Sequence, residues 1–284
     1  MNTEIFSREI NGTEQTQALK ELNAYGFARI SNFLTSEGLQ RLLNLTEDSY
    51  EKLNANGKIK YKGIPERSKD DKMLYNLHNI DRAYLDLLVS PFVTAIASAK
   101  LNDEHYRFLP ADVPNYILHY YNARSSGQKL DLHIDSLIPF AGDYTNMMQF
   151  VFLLQDSDVD NGCTVVVPGS HKSAKYTDRD LENVSPLTGK AGDLVFWDSR
   201  LWHGTLENVS SRSRWALIAT IGMWWVKQTM DIVRGMNDDI YKQCTDQQKQ
   251  LLGFCAVPPI DPIERNNTKC GYDFLKPSIK DYNF

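Results

Sequence analysis

Apolar positions between Thr13 and Tyr25 fall at helical spacing, with Leu19 and Leu22 on one face, and Gly26 supplies a stop. The short apolar run Phe27–Ile30 then predicts a strand. Ser36 stands where it would cap a second helix reaching about Leu53, because Leu39, Leu42, Leu43 and Leu45 recur with the helical period. Tyr84–Lys100 predicts a third helix, and Pro91 near its middle marks a break. From about Asn115 the period changes. Short β-branched and aromatic runs follow one another at Asn115–Tyr121, Met147–Leu154, Thr164–Val167, Asp193–Trp197 and Arg214–Trp224. Clusters of Gly, Asp, Asn and Ser separate them, which is the pattern of a β-sandwich or barrel. Asn161-Gly162 and Gly192-Asp193 are read as tight turns. A helix is expected after Met230, then a Pro-rich aromatic tail placed to cover one end of the barrel.

Composition narrows the class. The 284 residues are 42% hydrophobic and 24% charged, and the net charge is -5. Those values describe a globular chain and give no electrostatic reason to bind nucleic acid. The basic stretch Lys58–Lys62 is read as a solvated loop. Ala216–Val226, the longest apolar run, is too short to span a bilayer and suits a buried strand. Cys163, Cys244, Cys255 and Cys270 form no CxxC pair and no disulfide framework. With no amino-terminal secretion signal, the expectation is a cytoplasmic protein that binds neither membrane nor nucleic acid, as a monomer or homodimer. On that reading the sequons at Asn11 and Asn208 are chance. With no internal repeat and no linker, residues 1–284 are expected to form a single domain. It would have a helical amino-terminal part to about 110, a barrel core over about 111–228 and a carboxy-terminal helix and tail over about 229–284.

The chemistry concentrates at His133-Ile134-Asp135. On a strand, residues i and i+2 share a face, so one imidazole and one carboxylate project together. About 70 residues later comes Trp202-His203-Gly204-Thr205. Two His and one carboxylate on one face of an ion leave the opposite positions open, as in the non-haem Fe(II) oxygenases. The turn-rich Asn208-Val209-Ser210-Ser211 suggests a hairpin centred between Val209 and Ser210. In that register Thr205 opposes Arg214 and His203 opposes Ala216, one guanidinium and one hydroxyl lying one step beyond the metal. Such a pair suits a carboxylate. Arg212 would face Glu207, and its expected role is a surface ion pair.

The stretch His133–Arg214 resembles the phytanoyl-CoA dioxygenase (PhyH-like) superfamily of Fe(II)/2-oxoglutarate oxygenases. The carrying segments are His133-Ile-Asp135, Asp160-Asn-Gly-Cys-Thr-Val-Val-Val-Pro-Gly-Ser-His171, Ala191-Gly-Asp-Leu-Val-Phe-Trp197, Trp202-His203-Gly-Thr205 and Asn208-Val-Ser-Ser-Arg-Ser-Arg214. Gly26–Leu34 resembles the family's first strand, so the likeness covers roughly residues 20 to 225. The resemblance implies a mostly β fold with flanking helices, a double-stranded β-helix (jelly-roll, cupin-like) barrel with Fe(II) at one mouth. It implies His133, Asp135 and His203 as metal ligands and catalytic centre. It also implies 2-oxoglutarate with its C5 carboxylate on Arg214 and Thr205, and O2 as oxidant. Asn146 and Gln149 are the candidates for the C1 carboxylate. The implied reaction oxidises an unactivated C–H bond of a small-molecule metabolite by hydroxylation, desaturation or ring closure, releasing succinate and CO2. Asp135 fills the position that the superfamily's halogenases leave to chloride, so no halogenation is expected.

Other residues read more plainly. His171 is expected in a structural turn, His119 in the core, and His78 and His105 outside the site. Trp202, Trp224, Trp225, Tyr116, Tyr120 and Tyr121 are core residues or pocket walls. Two other functions compete: a non-catalytic 2-oxoglutarate- and metal-binding sensory module, and a zinc hydrolase. Substrate choice is expected in Gly57–Asn79, Asn122–Leu130 and Met230–Phe284, for a small polar or amphipathic metabolite such as an amino-acid derivative or natural-product intermediate.

Overall fold

A computed structural model describes residues 6–55, 72–105, 113–125, 127–173 and 183–257, together with Ile263. The basic stretch around Lys58–Lys62, most of the tail and Cys270 lie outside the described residues. Helix α1 spans Gly12–Tyr25, with the Asn11 side chain accepting from the Glu14 N–H at its start. It stops at Gly26, whose φ of 88° is left-handed. A Cβ at Gly26 would stand 2.5 Å from His171 Nδ1, so the same glycine also lets the chain pass that ring. Strand β1 is Phe27–Ile30. Helix α2 is Ser36–Ala55. Ser36 is its first helical residue and not its cap; Thr35 Oγ1 accepts from the Gly38 N–H at 3.0 Å and does the capping.

Strand β2 is Lys72–Leu74. The expected third helix is two helices, α3 at Arg82–Leu88 and α4 at Pro91–Leu101. Pro91 takes the first helical position, where its missing N–H costs nothing, and the pair bends by 59°. Strands β3 (Tyr116–Ser125), β4 (Leu130–His133), β5 (Met147–Leu153), β6 (Thr164–Val166), β7 (Ser185–Leu187), β8 (Leu194–Asp198), β9 (His203–Thr205) and β10 (Ala216–Met223) follow. The expected carboxy-terminal helix is three short ones, α5 (Ile232–Gly235), α6 (Asp238–Gln243) and α7 (Asp246–Leu251).

The strands form a six-stranded sheet ordered β1-β8-β5-β10-β3-β2 and a four-stranded sheet ordered β4-β9-β6-β7. Two antiparallel sheets and flanking helices make a jelly roll. The hairpin expected between β9 and β10 is not there. Strand β9 pairs with β4 and β6, whereas β10 pairs with β3 and β5. The turn at Asn208 carries the chain from one sheet to the other. It is tied by the Val209 and Ser210 N–H groups to the Asp160 carbonyl, at 2.9 and 3.2 Å.

All seven residues of β5 are buried, because the large sheet is covered on both faces. Its outer face packs Phe150, Phe196 and Leu217 against Phe92 and Ile96 of α4. Its inner face carries Val151, Leu153, Val195, Trp197 and Ala216 toward the small sheet. Among the described residues no single helix is long and apolar enough to cross a membrane.

Phe196 stacks on Phe150 at 5.7 Å and meets Phe92 edge-on at 6.0 Å. Phe196→Ala removes a fully buried ring from that layer. It is expected to cost about 3–5 kcal/mol, read by urea unfolding.

Candidate functional site

The small sheet assembles the donors. His133, the last residue of β4, stands opposite His203, the first of β9, and a register shift between Leu130 and His133 brings them level. Their rings lie 4.4 Å apart. Asp135 follows on the loop after β4, with Oδ2 at 3.3 Å from His203 Nε2 and Oδ1 at 3.8 Å from His133 Nε2. Ligand atoms of the three residues lie within 4.8 Å of one another.

Each imidazole is oriented from behind. His133 Nδ1 lies 2.9 Å from the Asp131 carbonyl, and His203 Nδ1 lies 2.9 Å from the Leu201 carbonyl. A carbonyl only accepts, so both Nδ1 atoms carry the proton and both Nε2 lone pairs are free to meet an ion. Burial holds the His203 imidazolium pKa below its ordinary value, against the nearby Asp135 charge that raises it. The neutral ring is the ligand form. Two neutral imidazoles and a carboxylate converging from one side fit Fe(II), a facial set that leaves other coordination positions of the ion open. His133 is 43% exposed and His203 8%, so the open side faces out past His133.

A buried ion pair holds the loops that carry these donors. Arg200 grips Asp198 through Nε–Oδ1 at 2.9 Å and Nη2–Oδ2 at 2.7 Å. Its Nη1 reaches the Gly142 carbonyl at 2.8 Å, and Thr145 Oγ1 donates to Asp198 Oδ2 at 2.7 Å. Between the pair, the Ser199 carbonyl accepts from the N–H groups of Asp135 and Ser136, at 2.9 and 3.0 Å. The turn before His203 is thus fastened to the loop of Asp135.

The large sheet supplies the opposite wall. Tyr120, Thr220, Gln149 and Trp197 oppose one another in a row across β3, β10, β5 and β8. The Trp197 indole N–H lies 3.4 Å from Asp135 Oδ2, and Thr220 Oγ1 donates to Gln149 Oε1 at 2.8 Å. Burial, then the Asp135 charge, pushes the Tyr120 hydroxyl up to about 12, so it stays protonated. Two rows further, Arg124, Ala216 and Leu153 oppose one another. Together with Tyr120, Gln149, Trp197, Leu130, Thr164, Thr205 and Arg214, these three residues line a cavity of ≈ 110 Å³ that reaches the three donors.

The structure therefore gathers His133, Asp135, His203, Thr205, Gln149 and Arg214 around one cavity. Asn146 is outside its lining and accepts from Ser199 Oγ at 3.1 Å. Arg212 is a surface ion-pair residue; its partner is Asp158, with two contacts of 2.9 Å, and not Glu207. His171 sits in a turn, and His119 is buried at a β-bulge between β3 and β10. Burial lowers both His119 and His78 to about 4. Of the tryptophans, Trp225 is 51% exposed and stacks on Tyr144. Arg124 was not expected in the wall. The sequence pattern ends the strand at Tyr121, whereas β3 runs on to Ser125, and alternation from Tyr120 through Asn122 brings Arg124 to the same face.

The sequence profile of phytanoyl-CoA dioxygenase (PhyH) matches residues 22–216. The chain belongs to the phytanoyl-CoA dioxygenase family. An uncharacterized protein of Mycobacterium tuberculosis is 32% identical over 113 residues, 39% of this chain and 41% of that protein. The chain thus spans about two fifths of the first relatives it matches. The Aspergillus fumigatus dioxygenase af480 is 24% identical over 250 residues, 86% of this chain and 78% of that one. Among solved structures, HygX from Streptomyces hygroscopicus, with nickel and 2-oxoglutarate bound, superposes with a TM-score of 0.55 at 16% identity, covering 75% of this chain and 88% of that one. The epimerase SnoN from nogalamycin biosynthesis gives 0.56 at 15%, covering 75% and 84%. These likenesses show the family fold.

Both side chains of the Asp198–Arg200 pair are almost wholly buried, 3% and 2% exposed. Arg200→Met leaves the Asp198 carboxylate without its cation and is expected to cost about 3–5 kcal/mol in chemical unfolding. Replacing both partners by apolar residues of similar volume should cost less than the single change.

Proposed function

We propose that this protein is an Fe(II)- and 2-oxoglutarate-dependent oxygenase that oxidises a C–H bond of a small molecule. The observation that carries the reading is the pair of imidazoles, each fixed by a backbone carbonyl, converging with Asp135 at one end of a cavity whose other end holds Arg214. His133, Asp135 and His203 hold the metal. When bound, iron and 2-oxoglutarate would supply the oxidising chemistry: O2 and the cosubstrate give succinate and CO2, and the second oxygen atom goes to the substrate in hydroxylation or leaves as water in desaturation or ring closure.

The chain's own task is to position and to shield. Arg214 is buried, and its planar fork matches a carboxylate; Thr205 lines the same cavity from the facing sheet. On this reading the C5 carboxylate of 2-oxoglutarate meets Arg214 and its chelating end meets the donors. Gln149 stands in the row nearest the metal and is the candidate contact for the C1 end. Asn146 acts one layer behind, through Ser199. The protonated Tyr120 hydroxyl offers a donor there and no charge. Asp135 fills a coordination position, so hydroxylation, desaturation or ring closure is the outcome and not halogenation. We place the enzyme in the cytoplasm, where Fe(II) stays reduced.

Anaerobic addition of Fe(II) and 2-oxoglutarate should produce a weak visible charge-transfer band, and O2 should then release succinate. His133→Ala should lose the band and metal binding together. Arg214→Ala should keep metal binding and weaken 2-oxoglutarate about 10- to 100-fold, the worth of a charge-assisted pair. Tight 2-oxoglutarate binding without succinate across a broad substrate panel would instead favour a sensory module.

A further inference from the structure

We infer that Arg124 is a second anchor for the distal carboxylate of the cosubstrate, so that the end of the cavity away from the metal donors is a two-arginine clamp selecting dianionic 2-oxo acids. The inference rests on the 2-oxoglutarate reading above and adds a residue and a selectivity to it.

The register places Arg124. It opposes Ala216, which in turn opposes Leu153, and all three line the cavity. Arg214 precedes Ala216 by two residues, and its side chain lines the same cavity. Its backbone N–H donates to Ser125 Oγ at 2.9 Å, which fastens the segment bearing Arg214 to the strand end bearing Arg124. The small Ala216 side chain between them leaves the space in front of both arginines open.

Charge complements this geometry. Among the described residues lining the cavity, Asp135 is the single carboxylate, and it lies at the metal end. The facing sheet contributes Leu130, Thr164 and Thr205, which oppose one another and none of which is anionic. A carboxylate offers about four lone-pair sites on two oxygens. One arginine fork uses two of them, which leaves room for a second fork and the Thr205 hydroxyl.

The test is calorimetric titration of the Ni(II)-loaded full-length protein, a form that binds cosubstrate without turnover. The ligands are 2-oxoglutarate and 2-oxopentanoate, which keeps the chelating end and replaces the distal carboxylate by a methyl group. Arg124→Gln is expected to weaken 2-oxoglutarate about tenfold and to leave 2-oxopentanoate within about twofold. Arg124→Lys should recover part of the loss, and Arg124→Gln with Arg214→Gln should abolish the preference between the two ligands. Unchanged 2-oxoglutarate affinity in Arg124→Gln, or equal losses for both ligands, overturns the clamp and leaves the oxygenase reading standing. A wild-type protein that binds no 2-oxoglutarate overturns both.

Discussion

The pairing of β4 with β9 sets His133 directly across from His203, and every chemical capacity of the site follows from it. Opposed residues in an antiparallel pair share a face, so the two rings are brought to 4.4 Å without help from any flexible loop. Backbone carbonyls then settle which nitrogen of each ring faces Asp135. The close approach of the strands depends on Gly204 between His203 and Thr205. A Cβ there would stand 2.5 Å from the Leu130 carbonyl and push the two strands apart. The residue beside the metal ligand is small because the neighbouring strand occupies its space.

Asp135 has no strand to hold it and depends on the Ser199 carbonyl instead. That carbonyl lies in a turn whose ends are joined by the buried Asp198–Arg200 pair. A buried ion pair is a poor source of stability by itself, since desolvation opposes the attraction. Here it has a geometric use. Arg200 also reaches Gly142, and Asp198 accepts from Thr145, so one pair orders the turn before β9 and the loop after Asp135 together. Two metal-side loops from distant parts of the chain thereby share one anchor.

The fold and the site were legible in the sequence to different depths. Strand β1 and the break at Pro91 follow from local pattern and appear where the pattern puts them. The donors His133, Asp135 and His203 were legible because their chemistry is rare and their spacing suits strands. Arg214 reached the cavity by a route other than the one the turn at Asn208 suggested. The turn crosses between sheets, and Arg214 and Thr205 line one cavity from the two sheets' sides rather than along a hairpin. Local pattern carries no information on which sheet a strand joins, because that choice is made by pairings far apart in sequence. Arg124 was missed for a simpler reason. The polar run Asn122–Ser125 looks like loop when read alone, yet it is strand because β10 and β2 pair with it.

Division of the site between the sheets has a consequence for how its parts work together. The metal donors belong to the small sheet and its loop, whereas Arg124, Arg214 and Gln149 belong to the large one or its approach. A cosubstrate chelated at one end and gripped at the other would therefore join the two sheets across their inner faces. Its binding free energy would be shared with the packing of the sandwich, and each partner would tighten the other by the same factor. Metal bound first would fix Asp135 and the imidazoles and so lower the ordering cost left for the cosubstrate. The cosubstrate would in turn hold β3 and β10 at the spacing the metal site requires.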